Sequence, residues 1–118
     1  NLKIDCFIEL SLIDYVLYKA LEKLAPFGMG NPMPTFASEG VVIEETKLVG
    51  QDGKHLKLKI KDQKSNSLLD GIGFNMGKRI SEFEAGKLVD IVYTIDQNVW
   101  NGNKKLQLKV KDIRKKTQ

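Results

Sequence analysis

The chain has 118 residues, 42% hydrophobic and 29% charged, a balance expected of one soluble globular domain with a modest core and an accessory helix. No apolar run approaches the ~20 residues that a bilayer-crossing helix needs, and no signal-peptide pattern is present. One Cys and one His exclude an internal disulfide and any zinc site built from Cys and His ligands. Cys6 reads as a small buried apolar residue, with a reactive thiol as the alternative, and such cysteine usage fits a reducing cytoplasm. The start at Asn1 suggests a piece of a longer protein. The net charge of +4 is unevenly placed. Residues 1–53 hold four Lys and eight acids, whereas residues 54–118 hold fifteen Lys plus Arg and seven acids. The second half is therefore where a polyanion is expected, unless it is only a solvated basic face.

In chain order, Ser11 is a candidate N-cap with Asp14 three residues on. Ile13, Leu17, Ala20 and Leu24, with Leu12, Val16 and Leu21 beside them, predict a helix that Pro26 ends. Its apolar stripe is broad enough to pack on strands or a neighbouring domain. Lys3, Lys19 and Lys23 fall in this mixed-charge region and read as solvated. From Pro26 to Pro34, three prolines, two glycines and an asparagine predict one rigid loop, bounded by Phe27 and Phe36. A first strand carries Val41 and Ile43, with Gly40 marking a bulge or coil, and Asp52-Gly53 is a turn. In Lys54–Asp62, Leu56, Leu58 and Ile60 alternate with Lys57, Lys59 and Lys61, which predicts a half-buried second strand. A third strand sets Leu68, Asp70, Ile72 and Phe74 against Leu69, Gly71, Gly73 and Asn75. Met76–Glu84 predicts a short helix anchored by Ile80 and Phe83 and ended by Gly86. Val89, Ile91, Tyr93 and Ile95 face inward from a fourth strand. Asn101-Gly102 signals a type I′ hairpin, and Leu106, Leu108 and Val110 mark the fifth strand.

Three strands, a short helix and two strands is the order of an OB fold, a five-stranded Greek-key barrel. An SH3-like barrel is the alternative, and the helix between strands three and four argues against it. Periodicity does not show barrel closure. The expected organisation is an N-terminal helix and joint loop over residues 1–35, the barrel over 36–114, and a frayed tail over 115–118.

Three stretches carry a family resemblance: Pro26–Phe36 (PFGMGNPMPTF), Gly50–Leu58 (GQDGKHLKL) and Asn98–Leu108 (NVWNGNKKLQL). Together they resemble the C-terminal OB domain of the RecJ family, single-strand-specific DNA exonucleases of the DHH phosphoesterase superfamily. The resemblance covers roughly Leu12 to Arg114. It independently implies the OB fold and a 5′–3′ exonuclease of DNA repair and recombination as parent. It also implies Mg or Mn in catalytic domains N-terminal to this chain, and single-strand-binding protein, with its acidic tail, as a partner.

The residues themselves offer little catalysis. DHH-type chemistry needs clustered Asp and His to hold metal ions, and here His55 stands alone while Asp62, Asp70, Asp90, Asp96 and Asp112 are scattered. The chain by itself reads as no enzyme, with no cofactor and no metal ligands. Binding is the better expectation. Lys57, Lys59 and Lys61 point outward at alternate positions and can follow a phosphate backbone; Lys54, His55, Asn75 and Gln107 complete the candidate surface. His55 also reads as solvent-facing or locally hydrogen bonded. Gly71 and Gly73 leave room for a base if their face is outward, or else serve a barrel bend. Trp100, beside Asn101, Lys104 and Lys105, offers a stacking surface, or folds back to cover the barrel end. Phe7, Tyr15, Tyr18, Phe36, Phe74, Phe83 and Tyr93 read as structural, so the stacking platform is thin and binding is expected to be weak, salt-sensitive and sequence-tolerant. In the loop, Phe27, Gly28, Gly30, Asn31 and Pro32 form a domain joint or, through Asn31 and the N–H groups near the glycines, hold a phosphate. The competing function class is a protein-interaction module docking on the nuclease core or on the acidic tail; an RNA-binding OB domain is a third.

Overall fold

Alternating apolar and polar residues, punctuated by glycine turns, build strands whose pairing closes on itself. The computed structural model describes residues 2–24 and 33–116. The candidate loop residues Phe27, Gly28, Gly30, Asn31 and Pro32 lie outside the described residues. The elements are β1 (Cys6–Phe7), α1 (Tyr15–Glu22), β2 (Phe36–Val49), β3 (His55–Lys61), β4 (Leu68–Gly73), β5 (Leu88–Trp100) and β6 (Asn103–Lys115). Short 3₁₀ helices stand at Leu10–Leu12, Gln51–Gly53 and Gly77–Glu82. The sheet order is β1-β2-β3-β4-β6-β5, and β5 pairs back onto β2, so β2 to β6 close into a barrel. β4 and β6 run parallel; the other barrel pairings are antiparallel.

Closure turns alternate side chains inward, with the phase of β6 shifted between Val110 and Ile113 by a bulge. Leu56, Leu58 and Ile60 of β3, Ile91, Tyr93 and Ile95 of β5, and Leu108, Val110 and Ile113 of β6 are buried, each contributing about 1.5–3 kcal/mol. β4 sends glycines into the same interior. Gly71 stands opposite Leu58, and a Cβ on it would lie 3.2 Å from Ile60 Cδ1 and from Val110 Cγ2. A Cβ on Gly73 would lie 2.6 Å from Met76 Sδ. Both glycines thus serve inward packing, so of the two readings open for them the structure takes the barrel one and not the opening on the outer face. Phe83 follows the third 3₁₀ helix and is fully buried, with Ile80 packed beside the core. Gly77 makes a close approach there: its N–H donates to Lys54 O at 3.0 Å, and any Cβ would strike the Gly53 carbonyl oxygen.

The bulge expected at Gly40 is present. Its φ is +64°, the β2–β5 register shifts between Ser38 and Val41, and its N–H donates to Asp90 Oδ1 at 2.8 Å. The N-terminal segment differs from the sequence expectation. α1 begins at Tyr15, and its cap is Asp14, whose Oδ1 accepts from Leu17 N–H at 2.8 Å. Ser11 falls instead within the Leu10–Leu12 turn, because Leu10 and Ile13 are both drawn into the core. Cys6 is exposed on β1, a short strand that the sequence did not signal, so its expected burial is also corrected. Ser38 Oγ donates to Ile8 O at 2.7 Å and accepts from Tyr93 Oη at 2.7 Å, tying this segment to the barrel. Burial pushes the Tyr93 phenol above its usual range. At the other end β6 runs to Lys115, and Lys116 N–H donates to Leu88 O, so the ladder extends past Arg114. Among the described residues, no helix is long and apolar enough to cross a membrane.

Candidate nucleic-acid interface

Residues that face each other across paired strands share one side of the sheet. With Leu56, Leu58 and Ile60 inside, His55, Lys57, Lys59 and Lys61 point outward, as expected. Across β4, Lys57 stands opposite Ile72 and Lys59 opposite Asp70. Ile72 in turn pairs with Lys109, and Asp70 with Gln107. On the far flank, Lys47 stands opposite Lys57 and Glu45 opposite Lys59.

Two rows therefore cross the barrel surface. Lys47, Lys57, Ile72 and Lys109 make one that is cationic and free of acids. Glu45, Lys59, Asp70 and Gln107 make a mixed one. Ion pairs follow this division. Lys59 Nζ lies 3.9 Å from Glu45, Lys61 Nζ 3.8 Å from Glu44, and Lys105 Nζ 2.6 Å from Asp70. Among the described residues Lys47, Lys57 and Lys109 have no carboxylate at ion-pair distance. The unpaired cations thus run across the strands, where the sequence reading had them along β3. Lys47 and Lys109 were missed because only strand register places them beside Lys57.

The sequence reading also missed Phe74. It is 50% exposed, immediately past Gly73, with Lys109 Nζ 5.8 Å from its ring centroid. His55 meets it edge-on at 5.1 Å. His55 is itself locally held, since Asn75 N–H donates to Nδ1 at 2.9 Å; in the neutral ring that places the proton on Nε2. Asn75 has φ +63°, a turn that brings its N–H back to the histidine. Lys54, Asn75 and Lys78 border a hollow of about 400 Å³ at the β2–β3 loop.

At the opposite end the β5–β6 ladder stays paired out to Trp100 and Asn103. Asn101 and Gly102 have φ of +47° and +78°, both positive as a type I′ turn requires. Trp100 is 44% exposed and borders a concavity of about 340 Å³ with Lys57, Asp70, Asn98, Lys105 and Gln107. Its ring therefore edges the outer face. Lys104 pairs with Val99, one residue out of phase with Trp100, and so takes the other side of the ribbon. Of the candidate residues, the structure brings Lys57, Trp100, Lys105 and Gln107 together, and it groups His55 and Asn75 with Phe74.

No group of three or more His, Cys, Asp or Glu is placed to hold a metal ion among the described residues. The donors that the described residues bring together do not fit a catalytic metal. A closed five-stranded barrel in this order, with a short helix between β4 and β5, defines an OB-fold protein. That class binds oligonucleotides over the two strands that are β3 and β4 here, framed by the loops that are β2–β3 and β5–β6. The RecJ OB domain model matches residues 4–112, and the chain belongs to that family. It is 37% identical over 92 residues, 78% of its length, to the single-stranded-DNA-specific exonuclease RecJ of Bacillus subtilis. The crystal structure of RecJ from Thermus thermophilus in complex with Mg²⁺ matches 86% of the chain and 15% of that one, with a TM-score of 0.61 at 22% identity. The yeast mitochondrial single-stranded DNA binding protein Rim1 shares the fold, with a TM-score of 0.55 over 70% of this chain and 95% of that one at 19% identity. The chain spans 12% to 16% of the RecJ proteins it matches by sequence.

Proposed function

We propose that this chain is a single-stranded-DNA-binding module of a RecJ-like 5′–3′ exonuclease acting in DNA repair and recombination. In this reading it guides the strand to catalytic domains elsewhere in the parent. One observation carries it: the unpaired row Lys47, Lys57 and Lys109 leads to the exposed Phe74 ring on the face that OB folds use. The ammonium groups displace counterions from phosphates, and the Phe74 and Trp100 rings accept stacked bases with little sequence demand. The names of the RecJ relatives support the same substrate. The Thermus RecJ structures with Mg²⁺ and Mn²⁺ support a divalent metal in the parent's catalytic domain. We place that parent in the cytoplasm.

A second role is supported by α1. Val16 is 78% exposed on this helix, whose Tyr18 is buried against the barrel, and Leu12 is exposed in the 3₁₀ turn just before it. Those side chains suit docking on the remaining domains of the much longer parent. The basic face also suits the acidic tail of single-strand-binding protein. Competition between an acidic tail peptide and an oligonucleotide would mark a shared site; independent binding would separate the two partners.

The primary test uses Trp100, the one tryptophan of the chain, as an intrinsic reporter. A short single-stranded oligonucleotide at low salt should quench its fluorescence saturably. Phe74→Ala should weaken binding about tenfold, within the ~1–3 kcal/mol of one stacked base. No binding by the wild-type chain refutes the reading. Unchanged affinity in Phe74→Ala moves the path away from β4.

A further inference from the structure

We propose that the concavity beneath Trp100 is a nucleobase subsite that prefers guanine. The inference rests on the single-strand reading above and adds a base preference to it. Asp70 is the observation that demands it. Its side chain is only 13% exposed, it sits mid-strand in β4 on the outer face, and it borders the concavity with Lys105 at 2.6 Å. A phosphate gains nothing beside a carboxylate, and a base held by stacking alone needs no acceptor. The group that occupies this spot therefore presents N–H donors.

A carboxylate offers two oxygens with about four acceptor directions. Lys105 engages Oδ2, and Asp70 has no other partner among the described residues. Gln107 stands opposite Asp70 across the β4–β6 pairing and Asn98 stands opposite Lys105, so two amides line the concavity with the acid. Guanine alone among the four bases sets two donors side by side on its Watson–Crick edge, N1–H and N2–H, with the O6 acceptor next to them. Asp70 accepts the two donors, and the Lys105 ammonium beside it answers O6. Thymine offers one N3–H between two carbonyls. Adenine and cytosine set a bare ring nitrogen beside their amino group, which would face the carboxylate with a lone pair. Trp100 supplies the ring to stack on, and about 340 Å³ lies within the size range of small-molecule sites.

The test measures affinity for three short oligothymidylates, one unmodified, one with a single central guanine, and one with hypoxanthine there, which lacks only the N2 amino group. The guanine strand should bind about fivefold or more tighter than thymidine alone, the hypoxanthine strand should lose most of that gain, and Asp70→Asn should erase it while still binding oligothymidylate. Equal affinity of all three strands for the wild-type chain overturns the base preference and leaves the single-strand reading standing. Retention of the guanine preference in Asp70→Asn also overturns it, as it assigns the preference to other residues. Failure of every strand to bind removes both readings. The comparison with hypoxanthine uses the unaltered chain, so it holds even if Asp70→Asn folds poorly.

Discussion

Replacing Lys57 and Lys109 together by Gln should flatten the salt dependence of oligonucleotide binding. Replacing the pair Lys59 and Glu45 by Gln should leave it nearly unchanged. All of these side chains point from the same barrel face, but only the first pair is free of carboxylates. For a single strand, each neutralised phosphate adds about 0.7 to the slope of log affinity against log salt. Three contacts from Lys47, Lys57 and Lys109 predict a slope of about −2, so a fourfold rise in salt should weaken binding about 20-fold. With Lys47 alone remaining, the slope falls to about −0.7 and the same rise costs about threefold. Lys59 lies 3.9 Å from Glu45 with both groups exposed, and such a pair is worth at most about 1 kcal/mol. Deleting it preserves net charge and removes no phosphate contact. The assay is fluorescence titration of a labelled single strand over a series of salt concentrations. A fall in slope of equal size in Lys59→Gln/Glu45→Gln, or none in Lys57→Gln/Lys109→Gln, would refute the cross-strand path.

Three further outcomes probe the scaffold. Gly77→Ala should cost about 3 kcal/mol or more, because its Cβ meets the Gly53 and Lys54 backbone, which cannot step aside without moving the β2–β3 loop; an unchanged melting temperature would contradict that contact. Asp14→Ala should lower stability by about 1 kcal/mol through loss of the Leu17 cap, and Ser11→Ala should not, so equal denaturant midpoints for the two variants would reverse the cap assignment. Tyr93→Phe removes the bond to Ser38 and should cost about 1 kcal/mol near neutral pH. Burial holds the Tyr93 phenol protonated in the folded chain, whereas the unfolded chain ionises it near pH ~10. Its contribution is thus complete below pH ~10 and is lost as pH climbs through the higher folded value. Tyr93→Phe should therefore lose stability less steeply than wild type above pH ~10, although Tyr18, also raised by burial, keeps part of the decline. Identical alkaline slopes would sink this account.

The strands could be read locally because a half-buried strand writes its inner face into every second residue. Leu56, Leu58 and Ile60 against Lys57, Lys59 and Lys61 needed no partner to be understood. The turns at Asp52-Gly53 and Asn101-Gly102 were equally local, since each depends on residues that tolerate positive φ. The helix start was not, because Ser11 and Asp14 are both good caps and burial of Leu10 and Ile13 chose between them. Phe74 shows the same limit. Its phase with Asp70 and Ile72 was legible, but whether that phase or the glycine phase faced outward depended on the register of β4 against β3.

By itself the sequence determined the order of the five barrel strands, the outward lysines of β3, the hairpin with its tryptophan, and the family resemblance. Only the tertiary structure decided that β5 closes onto β2, that Gly71 and Gly73 fill the interior, and that Lys47, Lys57 and Lys109 form one row ending at Phe74. The division has one physical cause. Side-chain alternation is a property of neighbouring residues, whereas a row across strands joins residues tens of positions apart through hydrogen-bond register, which no local pattern encodes.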